Sequence, residues 1–204
     1  MLLDADDSQL VLVDYQTRLM PAMHEAPLVL ANALRLVQMA QALEVPVIAT
    51  AQNPDRLGGQ MPELQTALDA AGARHLAKMH FSAVPDGLAP LLRPPQRKPS
   101  GNARSLPRHL QKADQPQEGR SAVVLAGCEA HVCLLQTALD LLQEEFEVWV
   151  VTDACSSRSE RNRDAAFDRL AAAGAELVST EMVAFEWLRT AAHPAFKTVQ
   201  AFIK

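Results

Sequence analysis

The stretch from Ser121 to Asp140, SAVVLAGCEAHVCLLQTALD, decides how the rest of the chain is read. Ala122 to Ala126 is an unbroken apolar run, the pattern of a parallel strand buried on both faces. Gly127 marks a sharp turn. A helix is expected from close to Cys133 through Glu144, which places the thiol near a first helical turn. Unpaired N–H groups and the positive dipole end there favour a thiolate over a thiol. A sulfur at a strand-to-helix turn, at the carboxyl end of a parallel sheet, stands where α/β proteins place a nucleophile. The plainer alternative is a buried structural cysteine.

Working outward from that turn, other strands end in residues with chemistry. QLVLV, Gln9 to Val13, reads as a buried strand closed by Asp14. Arg74 to Met79 reads as a weaker strand with Lys78 near its end. Between them, Ala26 to Leu43 has apolar residues at helical spacing, with Pro27 suited to its first turn. Pro46 to Thr50, PVIAT, is a strand, and Ala51 to Pro54 a polar turn. Met61 to Ala71 is a short helix ended by Gly72. Downstream, Glu147 to Thr152 is a strand, and Ser156 or Ser159 caps a helix over Glu160 to Ala173. Glu176 to Ser179 is a last strand, after which Thr180 caps a helix through Leu188. Pro194 opens a final helix, Ala195 to Ile203.

Strand and helix patterns alternate throughout. They predict an α/β protein: one parallel sheet, helices on both faces, right-handed crossovers, one domain over residues 1–204. One segment departs from the pattern. Residues 92–120 are rich in proline, with Arg93, Arg97, Lys98, Arg104, Arg108 and Lys112. They read as a surface excursion, with a short helix over Ala103 to Lys112 as an option. The excursion is a solvated loop or a contact for an acidic partner.

Composition excludes several classes. The 204 residues are 49% hydrophobic and only 4% aromatic, so a packed core must rest on aliphatic side chains. A formal net charge of -5 lacks the basic footprint of a nucleic-acid binder. Three cysteines, an odd count in a chain of this size, suggest free thiols in a reducing compartment. MLLDADDSQL carries early acids and no basic-then-apolar leader, and no apolar run is long enough for a membrane helix. A soluble cytoplasmic protein, with no membrane and no nucleic-acid partner, is expected.

In a parallel sheet, the strand ends that carry Asp14, Lys78 and Cys133 point to one side. Each residue type has a use there. A free cysteine, with a pKa of roughly 8.5, is mostly thiol at neutral pH. Asp14 can accept its proton and later return one to a leaving group. Lys78 keeps that carboxylate ionised and favours the thiolate. Backbone N–H groups in the turn before Cys133 can hold an oxyanion.

The segments VLVDYQ, KMHFSA and AGCEAHVCLLQTALDLL, with TDACSSRSERNRDAAFDRLAAAGAELVST, resemble the isochorismatase-like cysteine hydrolases. ATAQNPDRLGG, VTDACSSRS and HPAFKTVQAFIK look like the isochorismatase domain-containing protein 2 branch of that family. The resemblance implies a six-stranded parallel sheet of order 3-2-1-4-5-6 in a three-layer sandwich. It implies a catalytic triad of Asp14, Lys78 and Cys133. It also implies a cis peptide at Cys128-Glu129, which turns the N–H groups of Glu129 and Cys133 toward an oxyanion. Nicotinamidases of the superfamily hold a metal through an Asp and two His near the second strand. The corresponding ATAQNPDRLGG has no histidine, so no metal and no cofactor are expected. Ala130 and Leu134 stand where many members have Thr and Val.

Gln52 is a candidate for lining the pocket, and Phe81 and His80 for shaping it. His131 is a candidate for tuning the thiolate or touching substrate. Cys128 is assigned to structure, with a nucleophile's role as a minor option. Asp153 and Arg158 are expected to form a structural ion pair. Isochorismatase chemistry proper, cleavage of a vinyl ether, does not require a thioester, so an intact Cys133 points toward small-molecule amides. The competing expectation is a catalytically silent or redox-sensing protein whose Cys133 is an oxidisable thiol. Relatives commonly assemble, and Phe196, Phe202 and Ile203 offer a contact face for a homo-oligomer.

Overall fold

The apolar runs pair as their composition requires. A computed structural model describes residues 2–93 and 119–204. Six strands form one parallel sheet: β1 (Ser8–Val13), β2 (Val47–Gln52), β3 (Arg74–Lys78), β4 (Ala122–Gly127), β5 (Glu147–Val151) and β6 (Glu176–Val178). Their order is β3-β2-β1-β4-β5-β6, the order the resemblance implied. β1 and β4 lie at the centre and are buried along their whole length. Leu12 pairs with Ala49 on one side and Ala126 on the other. The reversal of strand order between β1 and β4 creates a crevice at their carboxyl ends, where open α/β sheets bind ligands.

Helices α1 (Ala26–Ala42), α2 (Pro54–Leu57), α3 (Pro62–Ala70), α4 (Leu88–Leu92), α5 (Leu135–Gln143), α6 (Glu160–Ala172), α7 (Thr180–Leu188) and α8 (Phe196–Ile203) surround the sheet. α1 buries Val29, Ala33, Leu36, Val37 and Ala40 at helical spacing. Ser159 caps α6 by accepting from Asn162 N. α7 is capped by Ser179, not Thr180: Ser179 Oγ accepts from Met182 N, while Thr180 N–H and Oγ1 donate to Asp153 Oδ1. The polar turn expected at Ala51 starts later, because Ala51 and Gln52 extend β2. α4 shows that Leu92 belongs to a helix rather than to the proline-rich excursion. Residues 94–118, with the helix expected over Ala103 to Lys112, lie outside the described residues.

The expected contact face of α8 is used inside the chain. Val199 is buried, Phe196, Phe202 and Ile203 are half-buried against the core, and Phe202 O accepts from Arg35 Nε at 3.0 Å. The large apolar side chains that remain exposed include Leu2, Met182 and Phe185, which line one groove, and Met79 and Phe81 beyond β3. Among the described residues, no helix is long and apolar enough to cross a membrane.

Candidate active site

The site assembles where β1, β2, β3 and β4 end. β1 stops at Val13, and Asp14 adopts a left-handed backbone, φ 59°. A non-glycine residue rarely takes that conformation. Here it turns the chain out of the sheet and leaves the Asp14 side chain fully buried. Asp14 Oδ1 accepts from Thr50 Oγ1 at 2.7 Å. Its Oδ2 lies 2.7 Å from Lys78 Nζ, whose side chain is also fully buried. Oδ2 has no aligned hydrogen-bond donor among the described residues, so its contact with the ammonium is ionic rather than directional.

The ammonium is held from three further sides. Gln52 Oε1 accepts from it at 2.7 Å, Phe81 O at 3.0 Å and His80 O at 3.4 Å. The Met79–Ser82 loop that supplies these carbonyls is pinned by Asp86, whose Oδ2 accepts from Met79 N and His80 N. A buried lysine is tolerable because each of its protons meets an oxygen. Phe81 therefore takes part through its backbone, and its side chain is exposed.

β4 ends at Gly127, φ 154°, where a Cβ would collide with the Val13 carbonyl. Only glycine lets β4 lie this close to β1 before the turn. The Cys128-Glu129 peptide is cis. The helix expected at Cys133 opens instead as one π-helical turn, Ala130–Leu134, and α5 follows from Leu135. π-turns inside helices are frequent at functional sites. Cys133 keeps 6% of its surface, and its Sγ lies 4.0 Å from Gln52 Oε1. Asp14 and Lys78 are both close enough to perturb the thiol.

Burial works against the helix-end dipole expected from sequence. Burial pushes the Cys133 thiol up to about 12; the Asp14 charge adds to the rise, and the Lys78 charge opposes it. The dipole of a helix end favours the thiolate, but desolvation of a nearly buried sulfur opposes it. Burial thus favours the thiol form of Cys133 at rest.

Other expected residues fall as follows. Glu129 N–H donates to no acceptor among the described residues. The Glu129 carboxylate accepts from Arg158 Nε at 2.9 Å, so the pair expected between Asp153 and Arg158 does not form. Asp153 instead anchors Thr180, and its carbonyl accepts from Asn32 of α1. His131 Nδ1 lies 2.9 Å from Ser157 Oγ, which fastens the π-turn to the loop after β5. Cys128 is buried with its sulfur 3.7 Å from Met20 Sδ. Among the described residues, no group of His, Cys, Asp and Glu side chains is arranged to hold a metal.

Sequence reasoning missed Thr50, Gln16 and Gln60. Thr50 was on view as the last residue of PVIAT, on the same rim as Asp14. Gln16 and Gln60 are buried glutamines that bond β2 backbone. A polar residue two positions after a strand-closing acid was the available signal for Gln16.

A doubly wound parallel sheet with a buried acid, lysine and cysteine meeting at its switch point defines a class, and residues 8–182 match the isochorismatase domain. The chain belongs to the isochorismatase-like hydrolase family. Mouse isochorismatase domain-containing protein 2A is 36% identical over 199 residues, 98% of this chain and 84% of that protein. A Caenorhabditis elegans structure described as MAR1 ribonuclease is 30% identical with a TM-score of 0.80, covering 100% of this chain and 92% of the other. The Escherichia coli YcaC gene product, described as an octameric hydrolase of unknown specificity, is 25% identical with a TM-score of 0.78, covering 99% and 90%.

Proposed function

We propose that this protein is a cysteine hydrolase that opens a C–N amide-type bond of a small molecule through a thioester on Cys133. The observation that carries the reading is the buried Asp14–Lys78 contact at 2.7 Å beside a nearly buried thiol. Burying two charges is costly, and a strand-end acid and lysine with a cysteine at hand repay that cost through chemistry.

Because the thiol is protonated at rest, attack and deprotonation are coupled. Asp14 takes the Sγ proton as the sulfur bonds to the carbonyl carbon. The developing oxyanion is received by the N–H groups of Glu129 and Cys133. Collapse breaks the C–N bond, and the amine leaves with the proton from Asp14. Water then gives a proton to Asp14 and attacks the thioester. The C–S bond breaks, the sulfur recovers its proton, and the acid departs. Lys78 stays against Asp14 Oδ2 at 2.7 Å and offsets the buried carboxylate's charge. The cations of the described site are already engaged, Lys78 by Asp14 and Arg158 by Glu129. That favours an uncharged acyl group over a dicarboxylate.

The competing reading keeps the fold and uses Cys133 as a redox-sensing thiol. The buried Asp14 and Lys78 beside the sulfur favour the hydrolase, because a sensor needs only an oxidisable thiol. A cytoplasmic homo-oligomer completes the proposal, by analogy with the bacterial relative described as octameric. Light scattering measures that state directly. Intact-mass analysis during incubation with a panel of small primary amides tests the chemistry, with an RNA oligomer alongside because the nematode relative is described as a ribonuclease. An acyl adduct, with release of ammonia and loss of both in Cys133→Ala, is expected. Oxidised Cys133 with no turnover of any amide would establish the sensor.

A further inference from the structure

We propose that Gln16 is a positioning residue that holds Gln52 against Lys78 and Cys133 by standing in for a missing strand. β1 leaves the sheet at Asp14, whose N–H makes the last contact to β2 at Thr50 O, 3.2 Å. β2 nevertheless runs on to Gln52, so on the β1 side its backbone has lost its ladder partner. The Gln16 side-chain amide fills that place. Its Oε1 accepts from Gln52 N at 2.9 Å, and its Nε2 donates to Gln52 O at 2.9 Å. A primary amide carries the same acceptor and donor as a peptide group, so it can close a ladder where no strand remains. Nε2 also donates to Gly58 O at 2.7 Å, tying the following loop to the same point. Gln16 itself is fully buried.

The other side of Gln52 shows what the clamp serves. Gln52 pairs with Lys78 in the β2–β3 register, and its Nε2 donates to Met79 O at 2.8 Å. Its Oε1 is thereby aimed at Lys78 Nζ, 2.7 Å, and at Cys133 Sγ, 4.0 Å. One carbonyl oxygen thus occupies an ammonium proton and sets a negative pole beside the sulfur. Releasing it frees that proton to face the sulfur and raises the thiolate fraction. Gln16 touches none of the reacting atoms, so its influence passes through Gln52.

The test reads the sulfur rather than turnover, so it stands whether or not the amide reading holds. Alkylation of Cys133 by iodoacetamide at pH 8.5 is followed by intact mass, with Cys133→Ala as the blank. Thermal melts are recorded in parallel. Gln16→Met, which fills the same space without hydrogen bonds, is expected to speed alkylation about fivefold, the value of one lost hydrogen bond. Gln52→Met is expected to do the same, and the double variant to be no faster than Gln52→Met alone. If Gln16→Met does not fold, Gln16→Asn serves, because its amide stays neutral but is one methylene too short to span both groups of Gln52. A lowered melting temperature with unchanged alkylation, or two effects that multiply in the double variant, would overturn the proposal.

Discussion

The two rims of this sheet use hydrogen bonds to opposite ends. At the amino rim, Asp7 accepts from Ser121 N and Oγ, Arg120 donates to the carbonyls of Ala5 and Ser8, and Gln9 donates to Arg120 O. Ser8 Oγ donates to Asp4 O and accepts from Trp187 Nε1. These bonds tie the starts of β1 and β4 to each other and to α7. At the carboxyl rim side chains also bond backbone, but there a buried acid and a buried lysine meet as well. Among the described residues the buried charges, Asp14 and Lys78, are both there, as are the buried side-chain atoms without an aligned partner, Asp14 Oδ2 and Gln60 Oε1. The same strands thus carry a satisfied end that fixes the fold and an under-satisfied end with groups to spare for a substrate.

That contrast is broken most forcefully at the sulfur. Cys133→Ala should lower amide turnover by about 10⁴-fold or more, the scale of losing a nucleophile, while its melting temperature stays near that of the wild type. Equal losses of activity and stability would show that this rim is structural after all. Lys78→Met comes next. It strands the Asp14 carboxylate in a buried site, and breaking such a pair costs about 3–5 kcal/mol in denaturant unfolding. Adding Asp14→Asn should return much of that, because no uncompensated charge remains. A double variant no more stable than Lys78→Met would mean the ion pair is not what the site's stability depends on.

How far this contrast was legible in sequence depends on the length scale of each signal. QLVLV, PVIAT and AVVLA announce buried strands by composition alone, and the alternation with helical spacing settles a parallel sheet. Asp14 and Lys78 stood out because they close strands, and Cys133 because it sits at a strand-to-helix turn. The cis peptide and the strand order came from family resemblance, not from spacing. Partnerships were lost where choice is three-dimensional. Arg158 had Asp153 five residues before it and took Glu129, 29 residues away. Ser179 and Thr180 are both competent caps, and only the position of Asp153 decides that Thr180 is otherwise engaged. Gln16 and Gln52 lie 36 residues apart and leave no periodic trace. A helix-end dipole is visible in sequence, whereas the depth of burial that raises the Cys133 thiol is not.

The amino rim supplies a smaller, sharpening test. Ser8 is fully buried, and Ser8→Ala leaves Trp187 Nε1 without its acceptor. An orphaned buried donor costs about 1–3 kcal/mol, and Cys133 chemistry should be untouched. A fall in kcat for Ser8→Ala would mean that the two rims are coupled and the division between them is wrong.

A further effect appears only in alkali and again separates the rims. All three thiols sit at the carboxyl rim, Cys128 and Cys133 after β4 and Cys155 after β5. Burial holds Cys133 and Cys155 up at about 12, and Cys128 is also raised well above the ordinary thiol value. Above about pH 9 the unfolded chain releases these protons and the folded chain does not, so unfolding is favoured as pH rises. For Cys133 and Cys155 the stabilising contribution of the neutral thiol is complete below that point and is lost on the way to about pH 12. Each thiol steepens the decline by up to about 1.4 kcal/mol per pH unit. Unfolding free energy measured from pH 7 to 11 should therefore bend downward beyond pH 9 in the wild type. Cys155→Ala should bend less, by one proton's worth of slope, whereas Ser8→Ala should run parallel to the wild type and below it. Equal slopes in wild type and Cys155→Ala would show that this sulfur ionises in the folded protein as freely as in the unfolded chain.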